Sequence, residues 1–185
     1  MPPLSEHLRL SRLRPSEIRH PRGGATTPPD AAPGGRMAAM TELPEWARTL
    51  DLAPHPEGGW YRETWRSDVT IPKRSLPGDY PGPRAAGTAI LFLLMPGQQS
   101  EWHSVRSAEI WLYHRGSPLR LELGGDGSEP ANPDAQILGA DVAAGQQPQL
   151  LVPPRHWQRA KPEGDEPTLV SCVVTPGFDF ADFRL

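Results

Sequence analysis

The sequence is poor in several things, and each shortage removes a class of protein. It has one cysteine, Cys172, so no disulfide can form within the chain, which fits a reducing compartment. It has no basic excess: 19 Lys and Arg stand against 22 Asp and Glu, which argues against nucleic acid or an anionic membrane as partner. It has no long apolar run. The longest, Ala89–Met95, is seven residues, far below the ~20 that a membrane-spanning helix needs. The first forty residues contain no continuous apolar core of a secretory signal, and they carry Glu6, Glu17 and Asp30 where a transit peptide avoids acids. The expected location is cytoplasmic, with neither a membrane nor a nucleic acid as partner.

Turn-forming residues are abundant. Twenty-four prolines and 18 glycines among 185 residues predict short strands, many turns and a poorly ordered portion. Residues 1–40 form that portion: six arginines, three acids and almost no large apolar side chains beyond the first turns. Such a segment cannot bury enough surface to offset its ordering entropy. It reads as a disordered extension, with Met37 and Met40 as alternative starts. Residues 41–185 have the length of one domain with a buried core.

Within that domain, Thr41 to Leu52 predicts a short helix, with Thr41 as N-cap and Leu43, Trp46, Ala47 and Leu50 at helical spacing. Pro56, Gly58 and Gly59 then break the chain into a strand over 60–66, with Tyr61, Glu63 and Trp65 on one face. Four prolines and two glycines make 68–86 an irregular excursion. Gly87 to Met95 reads as a buried strand. Short strands follow at 118–123, 136–138, 149–152 and 168–175, separated by turns. Without long helices between them, they imply an antiparallel sandwich or barrel. Phe178, Phe180 and Phe183 are expected to pack against it.

Between Met95 and Pro118 lies the chemistry. Gly97, His103, Val105, Glu109 and Gly116 are spaced as in the first cupin motif, with Val105 in the place of a second histidine. Around VPPRHWQRA, Pro153, Arg155 and Gln158 stand where the second motif has Pro, Gly and His. The ordered blocks HPEGGWYRETWRS, SEWHSVRSAEIWLYHRG, LVPPRHWQ and VTPGFDFADF are similar to the fifth numbered cupin family, long catalogued as a domain of unknown function. The resemblance covers about residues 48–185. It implies an all-β double-stranded β-helix, an RmlC-like jelly-roll barrel, in a homodimer. It implies no single activity, since one fold hosts many.

Strand alternation places Glu101 and His103 on one face, Glu109, Trp111 and Tyr113 on another, and Gln158 on the facing strand. With the cupin registration these converge inside the barrel. His103, Glu109 and Tyr113 are then candidate catalytic residues, with His103 and Glu109 as a base pair and Tyr113 as the acid. Glu63, Glu101, His103, Glu109, Trp111, Tyr113 and Gln158 are candidate ligand contacts. If a divalent metal is the cofactor, His103, Glu109 and Gln158 are its candidate ligands, with His114 or His156 supplementary. That is a thin set, because non-haem iron prefers two histidines and a carboxylate. His55 and Glu57 read as shaping a loop at the barrel mouth, Cys172 as an inert buried thiol and Trp157 as core. The expected partner is a small molecule: a sugar, a nucleotide-sugar or a small organic acid. It is either merely bound or turned over, by a metal-free isomerase or epimerase or by a metal-dependent oxygenase. A structural dimer with a vestigial pocket is the remaining alternative.

Overall fold

The computed structural model describes residues 42–185. The expected extension over 1–40 and the Thr41 cap lie outside the described residues. The first element of the described residues is one helical turn, α1, Glu45–Arg48. It is shorter than the spacing predicts because Pro44 starts it and Asp51, at φ +52°, turns the backbone left-handed just beyond it. Its apolar side chains still do what the pattern required. Ala47 is fully buried, and Leu43, Trp46 and Leu50 pack with it against Leu93, Met95 and Leu169.

Thirteen strands follow. The first five are β1 Ala53–Pro54, β2 Trp60–Arg66, β3 Thr70–Ile71, β4 Arg84–Ala85 and β5 Thr88–Leu94. The central four are β6 His103–Val105, β7 Ala108–Arg115, β8 Leu119–Leu123 and β9 Asp134–Leu138. The last four are β10 Gln149–Val152, β11 Trp157–Pro162, β12 Thr168–Thr175 and β13 Phe183–Arg184. They form a six-stranded sheet in the order β1-β2-β5-β12-β7-β10 and a five-stranded sheet in the order β13-β6-β11-β8-β9. Strands β3 and β4 make a separate two-stranded ribbon inside the excursion expected to be irregular. All these pairings are antiparallel.

The two sheets enclose the core. Phe92, Leu94, Leu121, Leu138, Val152 and Val170 meet between them, each essentially out of water. Burying each such side chain contributes roughly 1.5–3 kcal/mol. Strand β5 explains why its sequence is apolar throughout: Phe92 and Leu94 face the other sheet, while Leu91 and Leu93 face α1 and its flanks. It is the strand with two insides.

One parity expectation fails, and a β-bulge is the reason. In β2 the register shifts between Glu63, which opposes Ile90, and Trp65, which opposes Ala89. The extra residue moves Trp65 off the face of Tyr61 and Glu63, and leaves it half exposed. The same shift brings Arg66 beside Glu63, where the two form an ion pair at 2.6 Å.

Candidate functional site

Both sheets contribute to a buried polar cluster. On the five-stranded sheet His103 and Gln158 lie directly opposite each other on β6 and β11. On the six-stranded sheet Glu109 and Trp111 of β7 face inward, with Cys172 of β12 opposite Trp111. Gln158 joins the two sheets. Its Oε1 accepts the Trp111 indole N–H at 3.0 Å, and its amide nitrogen donates to Glu109 Oε2 at 2.5 Å. The indole can only donate, so the orientation of the amide is fixed by chemistry. Cys172 lies close enough to Glu109 to bear on its ionisation.

His103 is held from the backbone. Its Nδ1 lies 2.8 Å from the Glu101 carbonyl, which can only accept, so Nδ1 carries the proton and Nε2 of the neutral ring is bare. That bare nitrogen is 3.2 Å from Oε2 of Glu57. Glu57 arrives on the tight turn HPEGG, where the Gly58 amide donates to the His55 carbonyl and the His55 amide donates to the Gly59 carbonyl, both at 3.0 Å. Gly59, at φ +73°, lies so close to the Leu93 carbonyl that a Cβ would meet it at 2.8 Å. The Glu101 amide in turn donates to the Glu57 carbonyl at 2.7 Å, docking the turn onto the entry to β6. His55 completes the group. Its Nδ1 accepts the Glu57 amide at 3.4 Å and lies 3.4 Å from Glu57 Oε2.

The electrostatics follow from burial. The His55, Glu57 and His103 side chains are 6, 8 and 2% exposed. Desolvation lowers both histidines to about 4, aided for His55 by the nearby His103. The same burial raises Glu57 well above the usual carboxylate range, with Glu109 close enough to push it further. Glu109 is also raised by burial, but its bond from Gln158 and its neighbour Cys172 favour the charged form. The Cys172 thiol is held up by burial and by the two carboxylates. Among the described residues, neither Glu57 nor Glu109 is ion-paired with a Lys or Arg side chain.

Aromatic rings wall the group. Tyr61 and Phe92 meet His55 edge-on at 4.6 and 5.9 Å, and Phe183 lies 5.6 Å from the His103 ring and 6.0 Å from His55. Phe180 stacks on His55 at 6.4 Å.

Of the residues singled out from the sequence, His103, Glu109, Trp111 and Gln158 come together. Their partnerships differ from the expected ones. His103 faces Glu57 and Glu109 is bonded to Gln158, so the expected His103–Glu109 base pair is not the pair observed. Tyr113 is inward but distant: it is four residues along β7 from Glu109, about 13 Å by strand rise. Its hydroxyl donates to the Gly116 carbonyl, which corrects the expectation of an acid facing His103. The Glu63 carboxylate is tied to Arg66 at an exposed end of β2. The Glu101 side chain is exposed, and only its backbone serves the site. His114 bonds Ser171 and His156 bonds the Pro154 carbonyl, both at exposed positions. The trio His103, Glu109 and Gln158 does not fit a metal as arranged. The Gln158 oxygen is occupied by Trp111, its nitrogen faces Glu109, and the free nitrogen of His103 faces Glu57. Among the described residues no group of three or more His, Cys, Asp or Glu side chains is placed to hold a metal ion.

His55 and Glu57 sit in a turn, where alternation assigns no face, so the sequence pattern alone places them at the barrel mouth and not in the cluster. The available signal was chemical: a histidine and a carboxylate two residues apart, immediately before two glycines.

A two-sheet jelly roll with an inward histidine, carboxylate and amide on facing strands defines a cupin-type barrel. Residues 44–185 match the model of the Cupin superfamily (DUF985), and the chain belongs to that family. A hypothetical protein from Leishmania major is 33% identical, with a TM-score of 0.65 over 76% of this chain and 84% of that one. A protein from Shewanella oneidensis is also 33% identical, with a TM-score of 0.66 over 79% and 85%. The uncharacterized protein YML079W of Saccharomyces cerevisiae is 28% identical over 77% of this chain and 74% of its own.

Proposed function

We propose that the barrel interior is a general acid–base site, and that it moves a proton on a small uncharged carbonyl compound such as an aldose or ketose. One observation carries this reading: two imidazole nitrogens whose lone pairs are free or accepting converge on a single carboxyl oxygen, Glu57 Oε2. Three acceptors meet stably only if a proton lies among them. The group therefore stores one, shared between Glu57 and His103, with Glu57 favoured as its holder because burial disfavours both charged forms. A second buried carboxylate, Glu109, is kept closer to ionisation by Gln158 and Cys172. An acid and a base with separated proton affinities, in one aromatic-walled interior, are the minimal parts for moving a proton on and off carbon.

The ligand class follows from what the cluster lacks. A nucleotide-sugar or an organic acid would bring negative charge beside the Glu109 carboxylate, and neither Glu57 nor Glu109 is ion-paired with a Lys or Arg among the described residues. A neutral ring with one apolar face suits Tyr61, Phe92 and Phe183 better. The homodimer expected from the resemblance belongs to the same proposal, and light scattering tests it.

The experiment is exchange in deuterium oxide. Aldoses and ketoses are incubated with the protein, and loss of the C–H signals next to the carbonyl is followed by proton NMR. The expected result is exchange with the native chain that falls at least ~100-fold in Glu57→Gln, the usual scale of one acid–base group. A native chain that neither exchanges nor is thermally stabilised by any member of the panel sinks the proposal.

A further inference from the structure

The His55, Glu57 and His103 side chains are almost completely out of water, so no ligand reaches them until a covering element moves. The covers are unequal. Tyr61 and Phe92 belong to β2 and β5, which are paired along most of their length within the six-stranded sheet. Phe183 and Phe180 belong to the segment after Phe178, which is attached quite differently. Strand β13 is two residues long and pairs only with β6, through Phe183–Val105 and Arg184–Ser104. Phe180 is 42% exposed although it stacks on His55.

What holds this segment is ionic. Asp182 is buried, and Arg84 grips it with two bonds at 2.7 and 2.9 Å. Arg106 adds a third at 3.0 Å and donates its backbone amide to the Asp182 carbonyl. Tyr80 lies against both guanidinium groups, at 5.7 and 5.6 Å, and its hydroxyl is paired with Ser107. Arg84 comes from β4 and Arg106 from the β6–β7 turn, so the clasp ties the segment to two places at once. On the near side the chain is pinned separately, by the Phe178 amide to Thr88 and by Arg66 to the Phe178 carbonyl. If the clasp lets go, the segment beyond the pin is held only by the two-residue β13–β6 pairing and by Arg184, which donates to the Ser128 carbonyl and lies over Trp157.

We propose that residues 179–185 are the gate of the acid–base site, that Phe180 and Phe183 are its closing surface, and that Asp182 with Arg84 and Arg106 is its latch. The inference rests on the reading of the cluster as a site that meets a ligand. It assigns to the excursion over 68–86 a task that its sequence did not disclose: carrying Tyr80 and Arg84 to the latch. Opening would remove the rings from over His55 and His103 at the cost of the two-residue β13–β6 pairing alone, while the rest of both sheets keeps its ladders.

The test reads access and needs no ligand. Diethyl pyrocarbonate modifies neutral imidazoles, and peptide mass spectrometry resolves His55 and His103 from His114, which is exposed and serves as the internal reference. Arg106→Gln loosens the latch from its half-buried side, and Phe183→Ala removes part of the closing surface directly. The comparator is Leu138→Ala, which destabilises the core away from the gate. Each gate variant is expected to raise modification of His55 and His103, relative to His114, about tenfold or more, the factor that losing one charge-assisted hydrogen bond gives an opening equilibrium. Leu138→Ala is expected to raise it little. If both gate variants raise the ratio no more than Leu138→Ala does, access runs through global unfolding and the gate is refuted. A gate confirmed in this way, with no exchange in deuterium oxide, overturns the proposed function alone.

Discussion

Replacing His55 by phenylalanine should make the protein less sensitive to acid. The imidazole stands in a box of Tyr61, Phe92, Phe180 and Phe183, which a phenyl ring of similar size can occupy. In the native chain burial lowers His55 from 6.5 to about 4, so in the folded state it stays neutral where the unfolded chain takes up a proton. The sign is that of a depressed histidine: its share of stability is intact above pH 6.5 and is lost as the pH falls towards 4. At pH 7.5 both states are neutral and His55 contributes no pH dependence. At pH 5 the unfolded imidazole is almost fully protonated and the folded one about a tenth, a difference of about 2 kcal/mol, approaching about 3 kcal/mol at pH 4. Phenylalanine also forfeits the acceptor for the Glu57 amide, but that loss is constant with pH. Urea unfolding followed by tryptophan fluorescence at pH 7.5, 6 and 5 measures the quantity. The stability of the variant relative to the native chain should rise by about 2 kcal/mol between the first and last of these. A difference that stays flat would mean that His55 titrates as in water, and the dry box around the proton store would be wrong.

Arg84→Met should cost about 3–5 kcal/mol in urea unfolding, because it strips the bidentate partner from a buried Asp182 and leaves Arg106 alone to balance it. Trp111→Phe should cost about 1–3 kcal/mol by leaving the Gln158 oxygen without its donor. The Gln158 side-chain amide resonances should then show the amide free to turn. Gly116→Ala should cost about 2 kcal/mol or more by thermal unfolding, since residue 116 has φ +97° and a Cβ there would run into the Pro167 carbonyl.

Much of the barrel was legible because its strands obey a two-residue period. Thr168 to Thr175 and Gln149 to Val152 are strands over the predicted residues, and alternation correctly pointed Glu109, Trp111 and Gln158 inward. The same rule misplaced Trp65, because a bulge adds a residue without any mark in the sequence. It also gave no purchase on His55 and Glu57, whose positions come from two glycines and from main-chain bonds to Glu101. Tyr113 was placed on the correct face but its reach was not foreseeable, since alternation says which way a side chain points and nothing of how far along the barrel it lies. The Asp182 latch joins residues that are 98 and 76 positions apart, and no local pattern announces such a partnership.

The Trp111–Gln158–Glu109 chain has a meaning apart from any chemistry in the interior. Two sheets of greasy side chains can slide past one another at little cost, because apolar packing is tolerant of small offsets. A directional bond between β7 and β11 is not, and this one has a donor-only group at one end and a carboxylate at the other. It works as an alignment pin, penalising any offset of one sheet relative to the other. A redesign that replaced Gln158, Glu109 and Trp111 with well-fitting aliphatic residues would be expected to keep or raise thermal stability while loosening that alignment. The signature would be a sharp melt accompanied by broadened methyl resonances along β7 and β11.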